Sequence, residues 1–284
     1  MILLKEGKDK VRLESLALNH WEAINPLTEE GNHRVDESLI GRLNSVYEEH
    51  LKQSHRKEVL FYKWLIHDNY KNLRELILAD ISIYPSLILK VTSLLAFLGL
   101  AENEKVIESL KGELLEKVFQ YGNWRSNGKG LALFELLDIE VCPYCNIETI
   151  YVDYDKDLLI GTFDHYYDKA IYPYLSLSFY NLVPSCRNCN EVHKKDKNFS
   201  IDTHLHPYMD DYNTVSRFEC EFVDEQVKYE VNWEVLCDPA TRCFNYNNHL
   251  GFTARYNQKN VSDQAGLIYR LGQQYTLEQR LEYV

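Results

Sequence analysis

Between Asp36 and about Leu137, apolar residues return at intervals of three and four. Leu39, Leu43, Val46, Tyr47 and Leu51 fall on one helical face, and Val106, Ile107, Leu110, Leu114, Val118 and Phe119 repeat the pattern. The most apolar stretch, Ile81–Ala101, carries Pro85, Lys90 and several hydroxyl side chains. A charge near the middle of a bilayer costs at least ~2.5 kcal/mol, so this stretch predicts a buried helix and not a membrane span. Asn123, Ser126, Asn127 and Gly128 predict a polar break before a short helix, Leu131–Leu137.

The period changes at Ile139. Thr149–Val152 is β-branched and aromatic, Asp153–Asp157 is a polar turn, and Leu158–Phe163 returns as a second strand, which predicts a hairpin. An aromatic-rich loop, Tyr166–Ser178, leads to a short helix expected over Cys189–Lys195. Two further strands are expected at Arg217–Val223 and Lys228–Leu236. A closing amphipathic helix near Ser262–Tyr283 would bury Leu267, Tyr269, Leu271 and Tyr275. The expected fold class is α+β, with a mostly helical region over 1–138, a small core over 139–210 and C-terminal strands and helix over 211–284.

Composition sharpens this in two respects. The 284 residues, 45% hydrophobic and 26% charged, suffice for one large folded domain or two modest ones. The start, MILLKEGKDK, has too short an apolar run for a secretory signal, so a cytoplasmic location with no membrane association is expected. The net charge of −12 opposes simple nucleic-acid binding, which draws its affinity from Lys and Arg on phosphates. Any binding to nucleic acid would require the basic residues to be concentrated locally or a positive surface borrowed from a partner.

Four of the seven cysteines form two pairs, Cys142-Pro-Tyr-Cys145 and Cys186-Arg-Asn-Cys189, forty residues apart. Two such turns supply the four thiolates of a closed tetrahedral zinc site, which stabilises a fold and does no chemistry. A thioredoxin-like redox dithiol would need one pair only. Cys220, Cys237 and Cys243 lack this pairing and receive no role.

Between and just after these pairs stand Asp164-His165, Asn181-Leu182 and Asn190. Histidine has the pKa of a general base at neutral pH, and Asp and Asn offer hard oxygens suited to Mg²⁺ or Mn²⁺. This order of motifs over Cys142–Lys197, about a fifth of the chain, resembles the HNH endonucleases, also called ββα-metal or His-Me finger nucleases. The resemblance implies that His165 is the general base and that Asp164 and Asn190 hold one catalytic Mg²⁺ or Mn²⁺. It further implies that Asn181 is the middle Asn of the signature, bonding backbone to hold the loop that carries His165. The third signature position is often His and here falls on Asn190; His193 is an additional candidate ligand.

Arg187, Lys194, Lys195 and Lys197 form a basic cluster that would contact phosphates, and Tyr166, Tyr167, Tyr172 and Tyr174 would either stack on nucleic acid or pack on their own hairpin. Thr203-His204-Leu205-His206-Pro207 invites a metal reading less well than a packing one. The longer pattern, with Tyr-Pro-Tyr-Leu-Ser-Leu-Ser and a later His-Pro-Tyr, looks like HNH subunits of bacterial anti-phage systems of the Septu type. In those, an ABC- or SMC-like ATPase partner could supply DNA binding and control. The expected function is thus a DNA endonuclease of anti-phage defence. The alternatives are a non-catalytic zinc-finger adaptor in such a complex and an RNA-cleaving HNH toxin.

Overall fold

A computed structural model of the chain describes residues 4, 10–225, 228–236 and 241–274. Seven helices come first: α1 (Lys10–Ile24), α2 (Leu39–Gln53), α3 (Arg56–Leu78), α4 (Tyr84–Phe97), α5 (Glu104–Glu113), α6 (Tyr121–Ser126) and α7 (Lys129–Leu137). The pattern from Asp36 onward predicts this run, but it misses α1, whose Leu13, Leu16 and Ala17 are buried. Ser38 caps α2 by accepting from the Gly41 amide, as a hydroxyl at the N-cap does. α3 is broken at His67–Tyr70, where Asp68, Asn69 and Tyr70 take left-handed φ of 53°, 54° and 60°. Asp and Asn adopt that region more readily than most residues, which explains why the break falls there.

Two expectations for this region change. The polar break after Asn123 shortens to Asn127 and Gly128, because Tyr121–Ser126 forms α6 around the buried Trp124. The apolar stretch Ile81–Ala101 is half-buried: Leu87, Val91 and Leu95 on α4 face the core, whereas Leu89 and Phe97 are 66% and 86% exposed. Among the described residues, no single helix is long and apolar enough to cross a membrane.

The middle of the chain holds two small antiparallel hairpins. β1 (Tyr151–Asp153) pairs with β2 (Leu158–Ile160), Val152 opposite Leu159. β3 (Thr162–His165) pairs with β4 (Leu182–Ser185), Asp164 opposite Val183 and His165 opposite Leu182. The expected second strand, Leu158–Phe163, is therefore cut in two at Gly161 and its halves join different sheets. A Cβ at Gly161 would lie 3.2 Å from Ile150 and 3.3 Å from the Ser185 carbonyl, so the crossing strands pack too closely there for a side chain.

β4 runs directly into a π-helical turn, Asn188–Lys194, where a regular α-helix was expected over Cys189–Lys195. Its wide pitch is visible in the Lys195 amide, which donates to the Asn190 carbonyl five residues back. After α8 (Tyr212–Val215) come β5 (Arg217–Glu225) and β6 (Lys228–Leu236), paired antiparallel with Cys220 opposite Trp233. The chain then forms α9 (Arg242–Leu250), α10 (Phe252–Tyr256) and α11 (Lys259–Gln274). α11 covers the start of the expected amphipathic helix, but Leu267 is 51% exposed instead of buried. Tyr275, Cys237 and the side chains of Tyr269, Leu271 and Cys220 lie outside the described residues.

One apolar core runs through the helices, the hairpins and α9–α10. Polar contacts also tie the helices to the aromatic loop and to β3: Ser178 Oγ donates to the Leu76 carbonyl, and the Tyr121 hydroxyl to the Phe163 carbonyl. His20 of α1 donates from Nε2 to the Leu177 carbonyl at 2.8 Å and is 3% exposed. Burial pushes its pKa down from 6.5 to about 4. A folded-state value below the unfolded one means that His20 favours the fold fully above pH 6.5 and opposes it progressively as pH falls to about 4. The loss amounts to about 3 kcal/mol. Denaturant unfolding at pH 7 and pH 4 should show that loss, and His20→Gln should remove most of it. An unchanged pH slope in the variant would mean that His20 takes up its proton freely in the folded chain.

Candidate functional site

The two cysteine turns close on one point. Cys142 and Cys145 lie between the last helix of the N-terminal run and β1, Cys186 directly follows β4, and Cys189 lies in the first part of the π turn. All four are buried, none is in a disulfide, and their sulfurs lie within 4.8 Å of one another. A tetrahedral zinc site with bonds of about 2.3 Å requires sulfur–sulfur edges near 3.8 Å; Cys145 and Cys186 stand 3.9 Å apart. The group can hold one structural metal ion, and zinc fits it.

Four thiolates around Zn²⁺ leave two negative charges in the interior, and the C-terminal helices answer them. Arg255 of α10, 4% exposed, donates to Cys189 Sγ at 3.0 Å and also bonds Glu148 Oε1. The Tyr256 hydroxyl donates to the Cys145 carbonyl, and the Tyr246 hydroxyl to the Tyr144 carbonyl. No sequence signal pointed to Arg255, because it lies 66 residues beyond the cysteine it serves.

Tyr144, between the two cysteines of the first turn, joins this centre to the acid of β3. Its hydroxyl donates to Asp164 Oδ2 at 2.6 Å. The other carboxylate oxygen, Oδ1, accepts from Lys194 Nζ at 3.0 Å, and the same ammonium donates to the His165 carbonyl at 2.7 Å. His165 turns to the opposite side of the strand, as adjacent strand residues do, with its ring edge-on to Tyr121 at 4.3 Å. Its Nε2 bonds the Ser176 carbonyl at 2.9 Å. A carbonyl only accepts, so Nε2 carries the proton and Nδ1 keeps a free lone pair. Burial, then the Lys169 charge, hold the His165 pKa down at about 3.

Asn181 is fully buried at the foot of the aromatic loop. Its Oδ1 accepts from the Tyr167 amide at 2.7 Å, and its Nδ2 donates to the Tyr167 and Leu175 carbonyls at 3.0 Å each. The side chain thereby fixes the loop whose Ser176 carbonyl holds His165. Asn181→Ala should cost about 3 kcal/mol by stranding three buried backbone groups. Urea unfolding checks this, and a cost below 1 kcal/mol would mean that the loop holds itself.

Asp164, His165 and Asn190 share the lining of one cleft of about 180 Å³. Asn190 directs Nδ2 to Thr162 Oγ1 at 3.3 Å. The lining also contains Arg125, Lys169, Lys194 and Lys195, against the acids Asp164, Asp168 and Glu191. Four basic residues thus meet three acidic ones here, a local balance less acidic than that of the chain as a whole, whose net charge is −12. Arg125 and Lys169 were not expected here; they are far apart in sequence, and Lys169 is placed by its ammonium over the Tyr121 ring.

Other expected residues are placed differently. In an α-helix His193 would follow Asn190 by about one turn, but in the wide π turn it is Lys194 that returns to the cleft. His193 packs instead against Gly251 at the α9–α10 joint, where a Cβ would lie 2.8 Å from its ring. Lys194 is buried in its ion pair and is not a surface phosphate contact. Arg187 is exposed outside the cleft lining, and Lys197 reaches the His249 carbonyl; Lys195 alone of the expected basic cluster is an exposed residue of the cleft. Tyr166 and Tyr167 are buried against each other and Tyr174 is buried beside the half-buried Tyr172, so the rings of the three buried tyrosines are not open for base stacking. His204 stacks on Phe199 and bonds His249, whereas His206 packs on Tyr166, so the two do not converge on a metal.

No family model matches the chain, and no solved structure does. The protein ea31 of Escherichia phage lambda is similar to it, with 31% identity over 111 residues. That match covers 37% of this chain and 34% of the phage protein, so it spans only about a third of each.

Proposed function

We propose that this chain is an HNH-type, metal-dependent endonuclease that hydrolyses phosphodiester bonds of DNA. The observation that carries the reading is the meeting of Asp164, His165 and Asn190 in one cleft of mixed charge, on two antiparallel strands followed by a helical turn. Asp164 and Asn190 would hold one Mg²⁺ or Mn²⁺. An ionised carboxylate has about four lone-pair sites, and Lys194 and Tyr144 use two of those on Asp164, so the carboxylate keeps lone pairs with which to bind a cation. Such an ion would supply positive charge to the reacting phosphate and the leaving oxygen.

The remaining chemistry belongs to the side chains. His165 is neutral at pH 7, and its Nδ1 lone pair is the acceptor for the proton of an attacking water. Arg125, Lys169 and Lys195 would bind the flanking phosphates. A second cleft of about 540 Å³ along α6 and α7 shares the lining residues Arg125 and Phe163 with the first, so the backbone of a longer substrate would have space beside the site.

None of these contacts reads bases, and the overall charge is unfavourable for DNA. Recruitment by a partner, such as the ATPase subunit of a defence complex, follows as part of the proposal. The Lys194–Asp164 pair favours one second reading, a zinc-bearing adaptor in which Asp164 is structural. Plasmid and total RNA incubated side by side with Mg²⁺ or Mn²⁺, for wild type and His165→Ala at equal zinc content, test the choice. DNA cleavage lost in the variant supports the proposal, and RNA cleavage lost in the variant makes the protein a ribonuclease. Absence of Mn²⁺ binding in wild type favours the adaptor.

A further inference from the structure

Lys194 is the buried group that the proposed reaction leaves unexplained. Its side chain and that of Asp164 are each 3% exposed, and two of its three ammonium protons are placed on β3, on Asp164 Oδ1 and the His165 carbonyl. The ammonium also lies 5.3 Å from the centre of the Phe199 ring. Its position is tightly determined from the other side as well: Lys195, next in the chain, takes a left-handed φ of 51° at the end of the π turn. Strain of this kind persists only where the surroundings impose it.

A carboxylate buried this deeply needs a counter-charge, and Lys194 provides it. A divalent ion bound to Asp164 would sit about 2.1 Å from a carboxylate oxygen. It would then lie close beside the ammonium, with little water between to screen two like charges. On the proposed reading of Asp164 as a metal-binding residue, we infer that Lys194 is an internal competitor for the metal position, and that loading a divalent ion expels its ammonium from Asp164. Asp168 and Glu191 line the same cleft and can receive the released charge. The π turn thus carries both a proposed metal ligand, Asn190, and the cation that opposes the metal, so metal binding and the seating of this turn on β3 are coupled.

The test is Mn²⁺ binding to the zinc-loaded full chain, followed by electron paramagnetic resonance. A like charge beside a site shifts its equilibrium by about one to three log units, so Lys194→Met should bind Mn²⁺ about ten- to a thousandfold more tightly than wild type. Lys194→Arg, which keeps the charge, should not tighten binding, and Asp164→Asn should abolish it in either background. Equal or weaker binding by a folded, zinc-replete Lys194→Met, with binding still dependent on Asp164, overturns the competition and leaves the metal reading intact. No binding in any variant overturns both.

A wild-type measurement covers the case in which Lys194→Met does not fold. Acylation of lysines read by mass spectrometry should find Lys194 protected without divalent ion and reactive as Mg²⁺ is raised to saturation. Protection unchanged across that range overturns the proposal.

Discussion

Cys189→Ser is expected to abolish stoichiometric zinc and with it the folded state of the region from about 139 to 256. Structural zinc sites contribute apparent binding free energies of roughly 10–16 kcal/mol, comparable to or above the total stability of a domain at about 5–15 kcal/mol. The stretch that carries the four cysteines is short of regular structure: its strands have three and four residues, and the turn that follows has seven. The bonds from the C-terminal helices, those of Tyr246, Tyr256 and Arg255, end on the cysteine turns themselves. Arg255→Met should act more mildly, lowering zinc affinity about 10- to 100-fold as loss of an outer-shell partner does. Zinc content per chain, competition with a chromophoric chelator and the melting transition measure all of this. A Cys189→Ser protein that keeps one zinc and an unchanged melting curve would show that the metal is not what holds these turns together.

His165→Ala is expected to lower divalent-ion-dependent cleavage by about 10²- to 10⁴-fold, the usual worth of a positioned general base. The substitution also removes the bond to the Ser176 carbonyl and the edge contact with Tyr121, so stability will fall with activity. Cleavage rates must therefore be compared at temperatures where both proteins are folded, with zinc content matched. His165→Gln, which keeps a donor for Ser176, should be as inactive as the alanine variant but more stable. Comparable cleavage by wild type and both variants would place the base elsewhere or assign the activity to a contaminant. A loss confined to the alanine variant would mean that His165 supports the loop and takes no proton.

The parts of the site set by short-range spacing were legible in the sequence. A CxxC turn delivers two sulfurs to one point whatever surrounds it, and two turns delivered four. Adjacent strand residues face opposite ways, which separated Asp164 from His165. The helical face of Leu39, Leu43 and Val46 was readable for the same reason, because periodicity survives any later packing.

Tertiary structure decided whatever depended on a contact between distant segments or on a small change of helical pitch. Gly161 split one apparent strand between two sheets because Ile150 and Ser185 approach it from elsewhere in the chain. The π turn brought Lys194 and not His193 back to the cleft, a difference of one residue that no apolar pattern encodes. Arg125 reached the cleft, and Arg255 the sulfurs, from helices tens of residues away, and the nearby Lys169 was placed there by the Tyr121 ring of a distant helix. The net charge of −12 described the chain as a whole, whereas the electrostatics of the cleft depend on which few charges the fold gathers there. By itself the sequence determined which chemical groups were present and how neighbouring ones were spaced. Only the folded chain decided which of them meet, because side-chain chemistry acts over a few ångströms in space and not along the sequence.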